Sequence, residues 1–152
     1  KKKAKDAFFR RIEEAAGIRD RAVEVKFTDR SRIVVKALLN GRVETRLLVD
    51  TGATLVYFSP KIAEKLEMKT AGKKRAPIKL ADGNVLYGIP VRLRSVKVGN
   101  AEAVDVSAVV LPEEFTGLYK KDDVNGILGM SFLNRFHIKI DTSENILTLS
   151  PK

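Results

Sequence analysis

The chain has no cysteine and no tryptophan, and its single histidine is His137. The absence of cysteine excludes disulfides, thiolate zinc sites and a cysteine nucleophile, and it leaves the cellular compartment open. One histidine is too little for a multi-histidine metal site and leaves almost nothing for a histidine-containing triad. Acid–base chemistry in this chain therefore has to come from carboxylates.

Long apolar runs are also lacking, since no stretch approaches the roughly 18 residues that span a bilayer. The first six residues are too polar for a signal peptide. The sequence does not begin with Met, which is compatible with an excised fragment that has lost an upstream signal or anchor. The localisation is thus unknown, and a removed anchor would make it periplasmic or membrane-tethered.

The 152 residues are 44% hydrophobic and 32% charged, as expected for one globular domain. The net charge is +10, and residues 1–21, with eight Lys or Arg against four Asp or Glu, hold +4 of it. We find no basic patch interleaved with aromatic residues that could stack on bases. We therefore interpret the charge as a solvated basic surface and expect no nucleic-acid partner.

Two segments are predicted. Residues 1–21 form a basic, amphipathic helical lead, with Phe8 and Ile12 on one face and a stop at Gly17. This lead is either a linker or an arm packed on the domain. Residues 22–152 form the folded domain.

Within residues 22–152 the apolar residues alternate, which predicts short antiparallel strands. Asn40-Gly41 is a strong signal for a two-residue hairpin turn, because both positions accept positive φ. Ser59-Pro60 predicts a helix start, with a capping hydroxyl followed by proline at the first helical position. The fold class is therefore mostly all-β, with one or two short helices. Strands or hairpins are predicted at residues 23–27, 33–39, 43–49, 76–89, 104–110, 136–140 and 146–149.

One carboxylate has a distinctive setting. Asp50 directly follows the apolar strand that ends at Val49, and Asp50-Thr51-Gly52 continues with Ala53 and Thr54. Thr51 supplies a hydroxyl, and Gly52 permits a tight loop whose amides approach the carboxylate. As an isolated tripeptide this motif is weak and is typical of ordinary turns.

A second motif makes the interpretation of Asp50-Thr51-Gly52 much more specific. Residues 125–133, Asn-Gly-Ile-Leu-Gly-Met-Ser-Phe-Leu, begin about 75 residues after Asp50. Together the two motifs resemble the single-domain, bacterial, clan AA type of retropepsin-like aspartic protease, over roughly residues 23–149. The resemblance implies the retropepsin-like acid protease fold, with Asp50 catalytic, residues 51–54 in the active-site loop, and a strand at Ile127, Leu128 and Gly129 behind it.

The family also has a flap, a hairpin that folds over bound peptide. The hairpin predicted at residues 76–89 falls between the two motifs, where the resemblance places a flap. Its polar tip suits a lid. The tip residues are Ala81, Asp82, Gly83 and Asn84.

Only one such catalytic loop is present. Asp141-Thr142-Ser143 lacks the glycine and the following apolar strand, and we interpret it as a surface turn. An aspartic protease needs two carboxylates, so the active site is expected to be completed by homodimerisation. Two carboxylates about 3 Å apart share one proton and activate a water against a peptide bond, which requires no cofactor and no metal.

The expected partners are a second copy of the chain and a peptide or protein substrate. One alternative is a non-cleaving, dimeric peptide-binding module on the same fold, because fold does not fix activity. A second is a binder of nucleic acid or anionic membranes, which rests on net charge alone. His137, flanked by Phe136 and Ile138, is expected to be exposed and not catalytic.

Overall fold

The computed structural model describes residues 22–29, 31–79, 83–113 and 123–152. The helix predicted over residues 1–20 lies outside the described residues. The elements are β1 (Val23–Lys26), β2 (Val34–Leu39), β3 (Val43–Val49), β4 (Val56–Phe58), α1 (Pro60–Lys65), β5 (Ala76–Lys79), β6 (Val85–Val98), β7 (Ala101–Val110), β8 (Val124–Leu128), α2 (Met130–Leu133), β9 (Phe136–Asp141) and β10 (Ile146–Pro151).

The strands form two sheets. The larger has seven strands in the order β2-β3-β8-β4-β7-β6-β5, and a further pairing of β2 with β6 closes six of them into a ring. The smaller sheet has the order β1-β10-β9. The predicted antiparallel hairpins are present, and two pairs, β3–β8 and β4–β7, are parallel. The mostly all-β prediction, with two short helices in the described part of the chain, is confirmed.

The hairpin turn at Asn40-Gly41 has the predicted positive φ angles, but its loop has three residues and not the predicted two. The φ angles are 54° at Asn40 and 65° at Gly41, and the Arg42 N–H donates to the Leu39 carbonyl at 3.0 Å. Arg42 is an extra loop residue, because Leu39 pairs with Val43 across the hairpin. The Asn40 Oδ1 also accepts the Arg94 N–H at 2.7 Å, so the turn is fastened to β6.

The β6–β7 hairpin departs from the simple alternation of buried and exposed side chains. Asp105 has a φ of 57°, and the inward-facing phase of β7 changes at that point. Ala103 is buried before it and Val106 after it, whereas Val104 is 59% exposed. The alternation that predicted this strand therefore holds from Val106 onward and fails at Val104, since one left-handed residue shifts the side-chain phase.

The start of α1 is as predicted. Ser59 is the N-cap, its side chain accepts from the Ile62 N–H, and Pro60 occupies the first turn. The apolar face of the helix is buried, with Ile62 at 2% exposure and Leu66 at 5%. This helix covers part of the main core.

Apolar burial occurs in two places. The main core fills the ring and lies under α1 and α2. A second, smaller cluster contains Tyr57, Ile78 and Ile127 and lies where the β5–β6 hairpin meets the loop after Asp50. Among the described residues, no helix has the length and apolar content needed to traverse a bilayer.

Candidate active site

Asp50 lies at the end of β3, where the sheet gives way to a loop. Its backbone N–H donates to the Leu128 carbonyl at 3.1 Å, and its carboxylate Oδ1 accepts the Gly52 N–H at 2.9 Å. The residue is half-buried, whereas Thr51 and Gly52 are exposed. The carboxylate is thus held by its own loop, with the loop tip facing outward.

Strand β8 supports this loop from behind. It lies between β3 and β4, with Val49 paired to Leu128 and Tyr57 paired to Ile127. Just beyond it, the Met130 N–H donates to the Ala53 carbonyl at 2.8 Å. Ile127 and Leu128 thus lie beside the loop as the last residues of β8, whereas Gly129, which was expected in the same strand, follows it as the N-cap of α2.

The fit of β8 and the residue after it against β4 and the Asp50 loop depends on two glycines. A Cβ at Gly126 would lie 1.9 Å from the Tyr57 carbonyl oxygen, and one at Gly129 would lie 2.1 Å from the Leu55 oxygen. Real Cβ atoms do not approach backbone oxygens so closely. Both glycines of the second motif are therefore required by backbone packing.

Ser131 is a positioning residue that the sequence reasoning did not single out. Its Oγ accepts the Val56 N–H at 3.0 Å and donates to the Ser107 carbonyl at 2.8 Å, while its own N–H donates to the Thr54 carbonyl at 2.9 Å. One side chain thus joins α2 to β4 and β7. Its place in the second motif was visible, but its partners are brought together only by the fold.

The candidate flap is partly described. Gly83 and Asn84 are exposed, and Gly83 has a φ of 89°. Ala81 and Asp82 lie outside the described residues. Ile78 and Leu86, one on each strand of the hairpin, belong to the second cluster together with residues that follow Asp50. The stem of the hairpin therefore packs against the loop that carries the carboxylate.

Tyr57 brings a titratable group close to Asp50. Burial raises the pKa of the Tyr57 phenol above 10.0, and the negative charge of Asp50 raises it further, against an opposing effect of the Leu55 backbone. The Tyr57 side chain belongs to the second cluster and the residue is only 8% exposed. The phenol therefore stays protonated at neutral and acidic pH.

Two other residues behave as expected. The Asp141 Oδ1 accepts from the Ser143 N–H at 2.9 Å within the β9–β10 turn, and the Ser143 hydroxyl bond lowers the pKa of Asp141. The predictions of a surface turn there and of an exposed His137 are confirmed. Within the described ranges, no group of His, Asp or Glu is arranged to hold a metal ion.

Comparisons with known proteins agree with this geometry. The model of the family described as "gag-polyprotein putative aspartyl protease" matches residues 35–135. A retropepsin-like aspartic protease from Rickettsia conorii is similar with a TM-score of 0.66 and 24% identity, covering 86% of this chain and 91% of that one. The EIAV protease, solved with an inhibitor, is similar with a TM-score of 0.50 and 16% sequence identity. The match covers 72% of this chain and 92% of the EIAV protease chain. No curated protein matches the sequence.

Replacing Ser131 by alanine tests the link between α2 and the loop. Ser131→Ala leaves the part-buried Val56 N–H without its acceptor, so we expect the free energy of unfolding to fall by about 1–3 kcal/mol. Denaturant unfolding measures the change. Ser143→Ala is the matched control, because its hydroxyl bonds an exposed carboxylate, and it should shift stability by less than about 0.5 kcal/mol. Equal effects of the two changes would contradict the assignment.

The raised pKa of Tyr57 predicts a pH dependence. A phenol that loses its proton more readily in the unfolded chain stabilises the fold below pH 10.0, and this stability is lost as pH rises toward the folded-state pKa. Tyr57→Phe should therefore weaken the decline in unfolding free energy above about pH 10. Urea unfolding at successive pH values checks this, with Tyr87→Phe as a control for removing an exposed phenol. A decline as steep in Tyr57→Phe as in the wild type would refute it.

Proposed function

The chain belongs to the retropepsin-like aspartyl protease family, and from this premise we propose that it is an aspartic endopeptidase in which two chains each supply Asp50. Residues 22–152 are the protease protomer, and residues 1–21 are a basic lead. The observation that carries the proposal is the Asp50 carboxylate, held through Oδ1 at the end of β3 with the next two residues exposed.

The exposed tip of the loop suits a second copy of the chain. Thr51, Gly52 and Thr54 are exposed in one chain, whereas Ile127 and Leu128 of β8, behind the loop, are buried. Retropepsin-like proteases function as dimers. In the proposed dimer the two loops meet across a two-fold axis, where the Thr51 hydroxyl of each chain bonds the loop of the other.

The chemistry follows from the two carboxylates. Placed about 3 Å apart they share one proton, because both cannot ionise at low cost. The ionised Asp50 removes a proton from a bound water, whose oxygen attacks the scissile carbonyl carbon, while the protonated Asp50 donates to the carbonyl oxygen. The tetrahedral intermediate then breaks its C–N bond, and the leaving nitrogen takes the proton that Asp50 had removed from the water. The other Asp50 regains its proton from a hydroxyl of the intermediate as the new carboxyl group forms. Among the described residues, Asp50 Oδ2 accepts no hydrogen bond, which leaves it for the water.

The proposed substrate is an extended peptide lying between the hairpin and the Asp50 loop. Gly52 has no side chain, which leaves room for the peptide at the bottom of this cleft. The flap tip would close over the peptide with Ala81, Asp82, Gly83 and Asn84. An extended chain there forms backbone hydrogen bonds as an added strand, and side-chain pockets give selectivity.

Removal of the carboxylate charge is the direct test. Asp50→Asn should reduce cleavage of an unfolded protein substrate by about a thousandfold or more, because no general base remains. Asp141→Asn is the matched control, since it changes the same residue type in the similar Asp141-Thr142-Ser143 turn, and it should keep full activity. Cleavage is followed over about pH 4–7 at high protein concentration.

Two outcomes would change the proposal. Full activity in Asp50→Asn would refute the aspartic mechanism. A folded wild-type dimer that binds peptide without turnover at any pH would establish the non-cleaving peptide-binding module instead.

The pairing of two chains makes a separate prediction. Wild type mixed with an equal amount of Asp50→Asn, after subunit exchange, should keep active pairs as about one quarter of all dimers. Activity per wild-type chain should therefore fall to about half, and Asp141→Asn in the same mixture should cause no loss. Native mass spectrometry with one of the two chains isotope-labelled confirms that exchange has occurred. Unchanged activity per wild-type chain would show that one chain suffices.

A further inference from the structure

The second apolar cluster lies where the proposed substrate would bind. It joins the Asp50 loop to β4, β7, β8 and the stem of the hairpin, and it is separate from the main core. A substrate side chain entering beside Asp50 would contact these residues. Its buried members are Tyr57, Ile78, Val109, Leu111 and Ile127, with Ala53, Leu55 and Leu86 packed against them.

Tyr57 is the one member of this cluster with a polar side chain. Its backbone pairs with Ile127 on one side and Val109 on the other, so the ring is fixed by two neighbouring strands. The residue is more than nine-tenths buried, with 8% exposure. Its hydroxyl is not among the buried, unpartnered polar atoms of the described residues, so the ring is buried while the oxygen reaches solvent. A substrate side chain that covers the hydroxyl costs free energy unless it supplies an acceptor.

The hydroxyl has an unused donor. It donates no hydrogen bond to any residue in the described part of the chain, and the Leu55 backbone N–H lies near its oxygen. Burial and the charge of Asp50 keep the phenol protonated, so the donor persists across the pH range in which carboxylates work. The strand register also places Tyr57 close to Asp50, since Tyr57 pairs with Ile127, and the next residue, Leu128, pairs with Val49.

We propose that Tyr57 determines specificity by donating a hydrogen bond to the substrate side chain bound in this pocket. The proposal rests on the proposed protease function. The preferred residue is one of modest size with both an apolar part and an acceptor oxygen, namely threonine, serine, asparagine or glutamine. An aliphatic residue of the same shape covers the hydroxyl without supplying an acceptor, which disfavours it.

Cleavage-site mapping tests the proposal. Wild type, Tyr57→Phe and Tyr87→Phe are each incubated with a peptide library made from a denatured proteome, and the cut sites are read by mass spectrometry. We expect hydroxyl and amide residues to be enriched at one position near the scissile bond in wild type and Tyr87→Phe. Tyr57→Phe should still cleave and lose this enrichment. Tyr87, at 57% exposure on the same hairpin, controls for the loss of a phenol.

A matched peptide pair then measures the coupling. Two peptides from the mapped sites differ only as threonine or valine, which are nearly isosteric, at the enriched position. Wild type should prefer threonine by about tenfold in kcat/KM, and Tyr57→Phe should lower this preference to about one or reverse it. Equal preference in the two proteins, or an unchanged cleavage profile, would show that Tyr57 only fills space and would overturn the proposal.

Binding separates this proposal from the protease assignment. The same two peptides are titrated into Asp50→Asn, with and without Tyr57→Phe, in a calorimeter. If wild type cleaves nothing, the peptides are chosen from a binding array, and the protease function fails while a preference for threonine lost in Tyr57→Phe would still support the pocket. Thermal unfolding of Tyr57→Phe confirms that the variant is folded.

Discussion

The close contact of strand β8 with the Asp50 loop is the constraint on which the rest of the site depends. Hydrogen bonds from Asp50 to Leu128 and from Met130 to Ala53 hold both ends of the loop, and they form only if the backbones approach closely. Gly129 allows that approach, and Gly126 allows β8 to pack against β4 beside the loop. The carboxylate is thus positioned by backbone packing, so its placement does not rely on long, flexible side chains.

This arrangement gives a site that is tightly packed on the side of β8 and α2 and exposed at the tip of the Asp50 loop. Behind the loop, Ser131 satisfies backbone groups from two strands with one hydroxyl, and the main core packs beneath it. In front, Thr51 and Gly52 are exposed. In the proposed dimer, a half-site that is already well packed needs little reorganisation when the second chain binds, which keeps the entropic cost of assembly low. The proposed pairing would then make activity depend on the protein concentration.

Local chemistry made much of the fold predictable. The Asn40-Gly41 turn, the Ser59-Pro60 helix start and the alternating strands each depend on neighbouring residues, and each is present. The order of two motifs was enough to indicate the family. Contacts between residues far apart in sequence could not be predicted. They include the parallel β3–β8 pairing, the hydrogen-bond partners of Ser131 and the packing that buries Tyr57. The exposure of Val104 was not predicted either, because a period-two pattern gives no sign that the next residue, Asp105, has a left-handed conformation.

The closed ring of the large sheet limits the strand edges through which the chain could aggregate. Within the described part of the chain, β5 pairs with β6 alone, so its other edge is open. This strand carries Pro77, which cannot donate a backbone hydrogen bond, and the exposed Lys79. Proline and lysine on an edge discourage indiscriminate strand addition. The open edge of β5 thus carries residues that protect it against aggregation.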